Sequence, residues 1–319
     1  MTAVALSNST VRSARGPGTT GLIRLTLRQH RVLILGTLAA CVALALYLSV
    51  WRLWLGGQPT VFSLFSTSTA VRDGIIGYTL VVAMFWGAPL LSREYEQRTH
   101  LLVWSQDVSP ARWLLIKVAL LGAIAVAFAI GIELVGQAVL NQMNLVASQG
   151  PFVDDFSPGF ESSILLQIGY TLAAFLIGLA IGGLVRLPVV ATACALGVFG
   201  GIRWLLATFA RENYLPPVHL TGPVSQDFGY SEPGFLVGQG DLDAAGHEIP
   251  SPNQCMMNTP TSEQFLACAH RNGFTGSYVI YQPLSRTPIF QLIEFGIFIV
   301  IALLCLAIAW FGVRRRQRI

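Results

Sequence analysis

Apolar residues run without a helical or strand period through six stretches, about Val32 to Val50, Ile75 to Leu91, Leu114 to Val139, Ile164 to Val185, Pro188 to Leu206 and Ile289 to Val313. Each is long enough to cross a hydrocarbon layer of about 30 Å as a helix, and a helix satisfies its own backbone groups in lipid. The pattern predicts an all-α polytopic membrane protein of six transmembrane helices. An even number of spans places both termini on one side. Arg12, Arg15, Arg24, Arg28 and Arg31 precede the first span with no acidic residue, and Arg314, Arg315, Arg316 and Arg318 follow the last. Basic flanks are retained on the cytoplasmic side, so both termini are expected there.

The same orientation places two polar segments outside, one with Asp154, Asp155 and Glu161, the other carrying Asp227, Glu232, Asp241, Asp243, Glu248 and Glu263. The chain divides into a cytoplasmic N-terminal segment with an interfacial amphipathic helix (1–31), helices one to five (32–206) and an extracellular segment (207–288). A sixth helix (289–313) and a basic tail (314–319) complete it. GLIRLTLRQHR, Gly21 to Arg31, alternates leucines with arginines in the manner of a helix lying among lipid headgroups. The outer segment before the last span is rich in Pro, Gly and Ser and reads as a small cap of loops. It holds Cys255 and Cys268, which in an oxidising compartment form a disulfide, the alternative being two free thiols.

Composition agrees with the pattern: 53% of the 319 residues are hydrophobic and 11% charged, against about 25% charged in soluble domains. The net charge of +4 comes from arginines clustered at span ends, so nucleic acid is not an expected partner. No P-loop is present, and Lys117 in LLIKVALLG lacks phosphate-cradling glycines, so the chain is not expected to hydrolyse ATP. His247-Glu248 opens like a zinc-protease motif, but Pro250 and Ser251 follow where the helix and second histidine belong. Cys255, Cys268, His247 and His270 lack a C-x2-C pair. No catalytic residue, metal site or cofactor bound by this chain is expected.

Ionisable groups within spans are costly and mark function or helix pairing. Glu133, Arg203 and Glu294 all fall in the outer half of the membrane at about 1.5 Å per residue, close enough in depth for Arg203 to pair with a carboxylate. Glu133, Gln137 and Asn141 repeat at i, i+4 and i+8, a polar stripe that should avoid lipid. Three alternatives remain: a helix-locking ion pair, the lining of an exit path, or a proton relay. Small residues at four-residue spacing, Gly178 and Gly182, Ala193, Gly197 and Gly201, and Ala123, Ala127 and Gly131, are read as packing faces within the chain.

Between spans two and three, LLSREYEQRTHLLVWSQDVSPARWLLIK is an amphipathic connector held near the membrane, with Arg93, Arg98, Arg112 and Lys117 placed to anchor its ends near phosphates. Here the sequence resembles the permease subunits of ABC-2 type transporters, in particular versions common in actinobacteria. Glu94, Glu96 and Thr99, then Trp104 to Trp113 and Lys117, carry the resemblance, with LRQHR before span one and QLIEFGIF in the last span. Arg98 stands where many members have Gly. The resemblance implies a coupling loop (92–113) docking on a separate ATPase through Arg93, Glu94, Glu96, Thr99, Leu101, Leu102, Trp104, Ser109 and Arg112. It further implies ATP and Mg on that partner, a second permease copy or homologue, and a plasma-membrane location. Export is favoured because no E-A-A-x3-G import loop occurs. The competing class is a non-transporting anchor or sensor with an extracellular ligand-binding cap.

Overall fold

The computed structural model describes residues 19–55, 61–97, 109–147, 159–185, 187–223, 234–249 and 262–316. It is mostly helical and contains six helical stretches long and apolar enough to cross a membrane, Arg31–Val50, Ser66–Glu96, Pro110–Gln142, Ile164–Leu184, Pro188–Asn213 and Leu284–Arg314. Six separate apolar runs therefore become six spans.

In chain order the helices are α1 (Thr19–Gln29), α2 (Arg31–Leu55), α3 (Val61–Val81), α4 (Ala88–Glu96), α5 (Pro110–Ala147), α6 (Ile164–Leu184) and α7 (Pro188–Leu205). A π-helical turn, Val82–Gly87, joins α3 to α4 within the second span, and another, Leu206–Ala210, extends α7 into a 3-10 turn, Arg211–Asn213. After strands β1 (Val218–Pro223), β2 (Gly234–Asp243) and β3 (Glu248–Ile249) come α8 (Ser262–Arg271), β4 (Phe274–Pro283) and α9 (Thr287–Arg316).

Helix α6 is the hub, packed against α4, α5, α7 and α9, with Tyr170, Phe175 and Leu179 fully buried. Glycines make this approach possible. A Cβ at Gly182 would run into the Ala88 carbonyl, and one at Gly178 would lie 2.9 Å from the Gly87 Cα. Backbone thus meets backbone at the π turn, where dispersion rather than a hydrophobic drive holds helices together in lipid.

Of the three small-residue faces, only Gly178 and Gly182 pack inside the chain. Ala123, Ala127 and Gly131, and likewise Ala193 and Gly197, are exposed, and nothing lies within 4 Å of a Cβ at Gly131, Gly197 or Gly201. That corrects their reading as internal faces: α5 and α7 bury other positions instead, such as Leu121 and Phe199, the latter against Phe298 of α9.

The segment before the last span is also more ordered than a set of loops. Its strands form a four-stranded antiparallel sheet in the order β1-β4-β2-β3, with Val218 opposite Tyr281 and Leu242 opposite both Gly276 and Glu248. Helix α8 covers it with Phe265 and Ala269 packed against Phe274, a small core separate from that of the spans. The sequence hides this because strand faces here are half-buried, without clean alternation. The boundaries shift accordingly: the fifth span continues to Asn213, so Arg211 belongs to the membrane helix and not to the cap. Gln282 donates to the Glu212 and Leu215 carbonyls (3.0 and 2.7 Å), and Arg286 donates to the Pro216 carbonyl (2.6 Å), tying sheet to span.

Candidate functional site

Two polar constellations stand out, one at each membrane boundary. The first is assembled where α7 ends, α6 begins and α9 enters. Arg203 and Arg211, eight residues apart, share the inward face of one helix. Facing them, the 3-10 turn Gly159–Glu161 delivers Glu161, while the first turns of α9 deliver Glu294. All four side chains are buried.

Glu161 accepts from both cations, from Arg203 through one oxygen and from Arg211 through the other at 2.5 Å. Arg211 simultaneously grips Glu294 with Nε and Nη2, both at 2.8 Å. The Tyr170 hydroxyl donates to Glu294 at 2.5 Å and that of Tyr214 at 3.3 Å. The guanidinium of Arg203 lies 4.0 Å from the Tyr170 ring centre and that of Arg211 4.3 Å from Phe160. Two cations and two carboxylates balance, which is what makes so many buried charges tolerable. Burial alone would push the Glu161 carboxyl up, but Arg203 and Arg211 outweigh it and hold it well below the usual carboxylate range.

The pairing differs from the expectation drawn from depth. Arg203 meets Glu161, not Glu133 or Glu294, and Glu294 is neutralised by Arg211. Glu133 accepts from the Ser162 hydroxyl at 2.7 Å, Gln137 reaches the Ser162 carbonyl at 3.4 Å, and Asn141 is exposed. The stripe thus orients two of its three members toward the turn that carries Glu161. Glu133 Oε2 and Arg203 Nη1 are buried with no hydrogen-bond partner among the described residues. Sequence reasoning missed Arg211, Glu161 and Tyr170. The signal for Arg211 was its i, i+8 relation to Arg203 in a helix that outlasts the apolar run.

The second constellation joins both ends of the loop between the second and third spans. Glu94 on α4 pairs with Lys117 on α5, whose ammonium lies 4.5 Å from the Trp113 ring centre. Lys117, its side chain only 3% exposed, therefore points into the protein and not toward lipid phosphates, because Glu94 and Trp113 offer it a partner at lower cost than lipid exposure. Ser109 precedes Pro110 at the start of α5 and accepts from the Arg112 backbone N–H at 3.4 Å, a helix start set by an N-cap and an N1 proline. Arg112 donates to Thr19 at 2.5 Å, fastening α1 to this end. Arg93 and Glu96 are exposed. Thr99, Leu101, Leu102 and Trp104 lie outside the described residues, as does Cys255. The described free thiols are Cys41, Cys194 and Cys305, and Cys268 packs beside Phe265 and Phe274.

His30 occupies the turn between α1 and α2. Burial, then Lys117, then Arg93 hold its imidazole down at about 4, from an ordinary 6.5. The folded protein therefore carries it neutral, and its contribution is unchanged above pH 6.5. As pH falls from 6.5 through 4 the unfolded form takes up the proton first, and stability drops. Hydrogen exchange in α1 is expected to rise over that window in the wild type and to change less in His30→Gln; equal profiles would show that another group drives the change.

Residues 57–211 match the family model described as ABC-2 membrane transporter related. The matched stretch holds α3 through the Arg211 turn, including both flanks of the loop, Glu161 and Arg203. No curated protein and no solved structure matches the chain.

Proposed function

We propose, from the premise that residues 57–211 make this chain a member of the ABC-2-related membrane transporter family, that it is the permease subunit of an ATP-driven exporter. Such permeases work with an ABC ATPase in the membrane, and this one is a multi-pass protein of the plasma membrane. ATP and Mg belong to the ATPase, and this chain itself catalyses nothing. A second permease, identical or homologous, completes the pathway. Both termini are cytoplasmic by the distribution of arginines, so the loop between α4 and α5 meets the ATPase and the sheet lies outside.

The observation that carries the reading is the state of the loop's flanks. Glu94–Lys117 and Arg112–Thr19 bind both ends of the loop into a bundle with α1, while Arg93 and Glu96 remain exposed for a partner. Force applied to the loop by a closing ATPase would pass directly into α5. About six turns along α5, Glu133 accepts from Ser162, next to the turn carrying Glu161, which supports a mechanical route from loop to clamp.

Coexpression with an ABC ATPase tests this. Wild type is expected to copurify with it and support hydrolysis, whereas Arg93→Glu with Leu102→Pro is expected to lose assembly or hydrolysis while remaining folded. Failure of the wild type to bind any ABC ATPase would refute the exporter and promote the second reading, an anchor or sensor using the folded cap. That cap is further proposed to carry a Cys255–Cys268 bridge, in which case alkylation before reduction labels three of the five cysteines and alkylation after reduction labels all. Equal labelling would rule the bridge out.

A further inference from the structure

A lateral groove of about 510 Å³ runs between α2 and α3, closed behind by Ile132 of α5. Its floor on α2 is made of Gly36, Ala40 and Cys41, small residues that leave the helix surface hollow. Nothing lies within 4 Å of where a Cβ at Gly36 would stand, so the missing side chain opens the space.

The wall chemistry restricts the occupant. Both hydroxyls on the lining are already engaged within the protein. Thr37 accepts from the Trp86 indole N–H at 3.0 Å, and Tyr78 donates to the Ala125 carbonyl at 2.6 Å. With both hydroxyls already held by the protein and only the Cys41 thiol besides, the lining is almost wholly apolar and the groove fits a saturated or unsaturated hydrocarbon chain. It follows α2 from Val32 to Leu44, about 18 Å at 1.5 Å per residue, and its opposite rim is formed by the exposed Val81 of α3 and Phe85 of the π turn. It therefore opens sideways within a span, where the surrounding solvent is lipid.

One end has a charge. Val32 directly follows Arg31, and Arg24, Arg28 and Arg31 are all exposed. The first acidic residue of the chain is Asp73, so the sequence leading into this end of α2 is basic with no acid of its own. Basic residues at a bilayer surface attract anionic headgroups.

We infer that the groove holds one acyl chain of an anionic phospholipid from the bilayer, with its phosphate at the Arg31 end. This needs only that α2 and α3 cross a membrane and does not depend on ATP coupling. The protein would retain such a lipid through solubilisation, and the lipid would cement α2, otherwise the least embedded span, to the remainder.

Native mass spectrometry of the full chain, purified in mild detergent from a bilayer of mixed anionic and zwitterionic phospholipid, reads the occupant. Wild type is expected to carry one anionic phospholipid. Gly36→Leu fills the hollow and should weaken retention about tenfold, the loss expected for roughly two displaced methylenes. Arg28→Gln with Arg31→Gln should keep a bound lipid but lose the preference for anionic ones. Cys41 supplies an independent readout: alkylation by an apolar maleimide should be slowed in wild type by added anionic phospholipid and not by zwitterionic lipid. Wild-type lipid load in Gly36→Leu, indifference of Cys41 to lipid, or a Cys41–Cys41 cross-link showing a second copy in the groove would each overturn the inference.

Discussion

Replacing Arg211 with methionine will cost about 3 to 5 kcal/mol of stability, the range for removing one partner of a buried charge pair. The effect is large because a single guanidinium serves two carboxylates. Without it Glu294 keeps only the hydroxyls of Tyr170 and Tyr214, while Glu161 retains Arg203. The uncompensated charge therefore resides on Glu294, and Arg211→Met combined with Glu294→Met should recover most of the loss. Arg211→Lys should recover little, since an ammonium cannot present the fork that Nε and Nη2 present to Glu294. Thermal unfolding of the detergent-purified variants measures all three. A double variant as unstable as the single one would show that the clamp acts through shape and not charge.

Breaking the Glu94–Lys117 pair is expected to be unequal in its two directions. Glu94→Gln strands an ammonium whose side chain is 3% exposed, whereas Lys117→Met leaves a glutamate whose side chain is 17% exposed, nearer the surface. Glu94→Gln should therefore cost about 3 kcal/mol and Lys117→Met distinctly less, with the double variant closer to wild type than Glu94→Gln. Because the pair joins α4 to α5, hydrogen exchange should increase at both flanks of the loop in Glu94→Gln. A change confined to α4 would contradict the link. Arg93 and Glu96, being exposed, can be varied to probe docking without this penalty, which separates a folding defect from a docking defect.

The spans were legible because the signal for each is local. An apolar run from Ile164 to Val185 must bury its own backbone polar groups, whatever surrounds it, and it appears as α6. The buried Arg–Glu clamp was legible in part. Arg203 and Glu294 are conspicuous as charges in apolar runs, and depth placed them in one layer. Their partners were not legible. Glu161 looked like one of several acids in a polar loop, and Arg211 lay past the last apolar residue, so neither stood out as a buried charge. The π turn at Leu206–Ala210, which carries the helix onward to Arg211, follows from no recognisable residue pattern.

The sequence by itself determined how many times the chain crosses the membrane, where the basic flanks lie and which loop resembles a docking element. Hydropathy and charge act residue by residue and need no knowledge of neighbours in space. Tertiary structure alone decided which carboxylate neutralises which arginine, that Lys117 turns inward to Glu94, and that only Gly178 and Gly182 among the small-residue faces lie against another helix of this chain. It also decided that the segment before the last span folds as a sheet. Each of these is a choice among partners far apart in the chain, made by the packing of whole helices and strands, and a single side chain records only that it needs a partner.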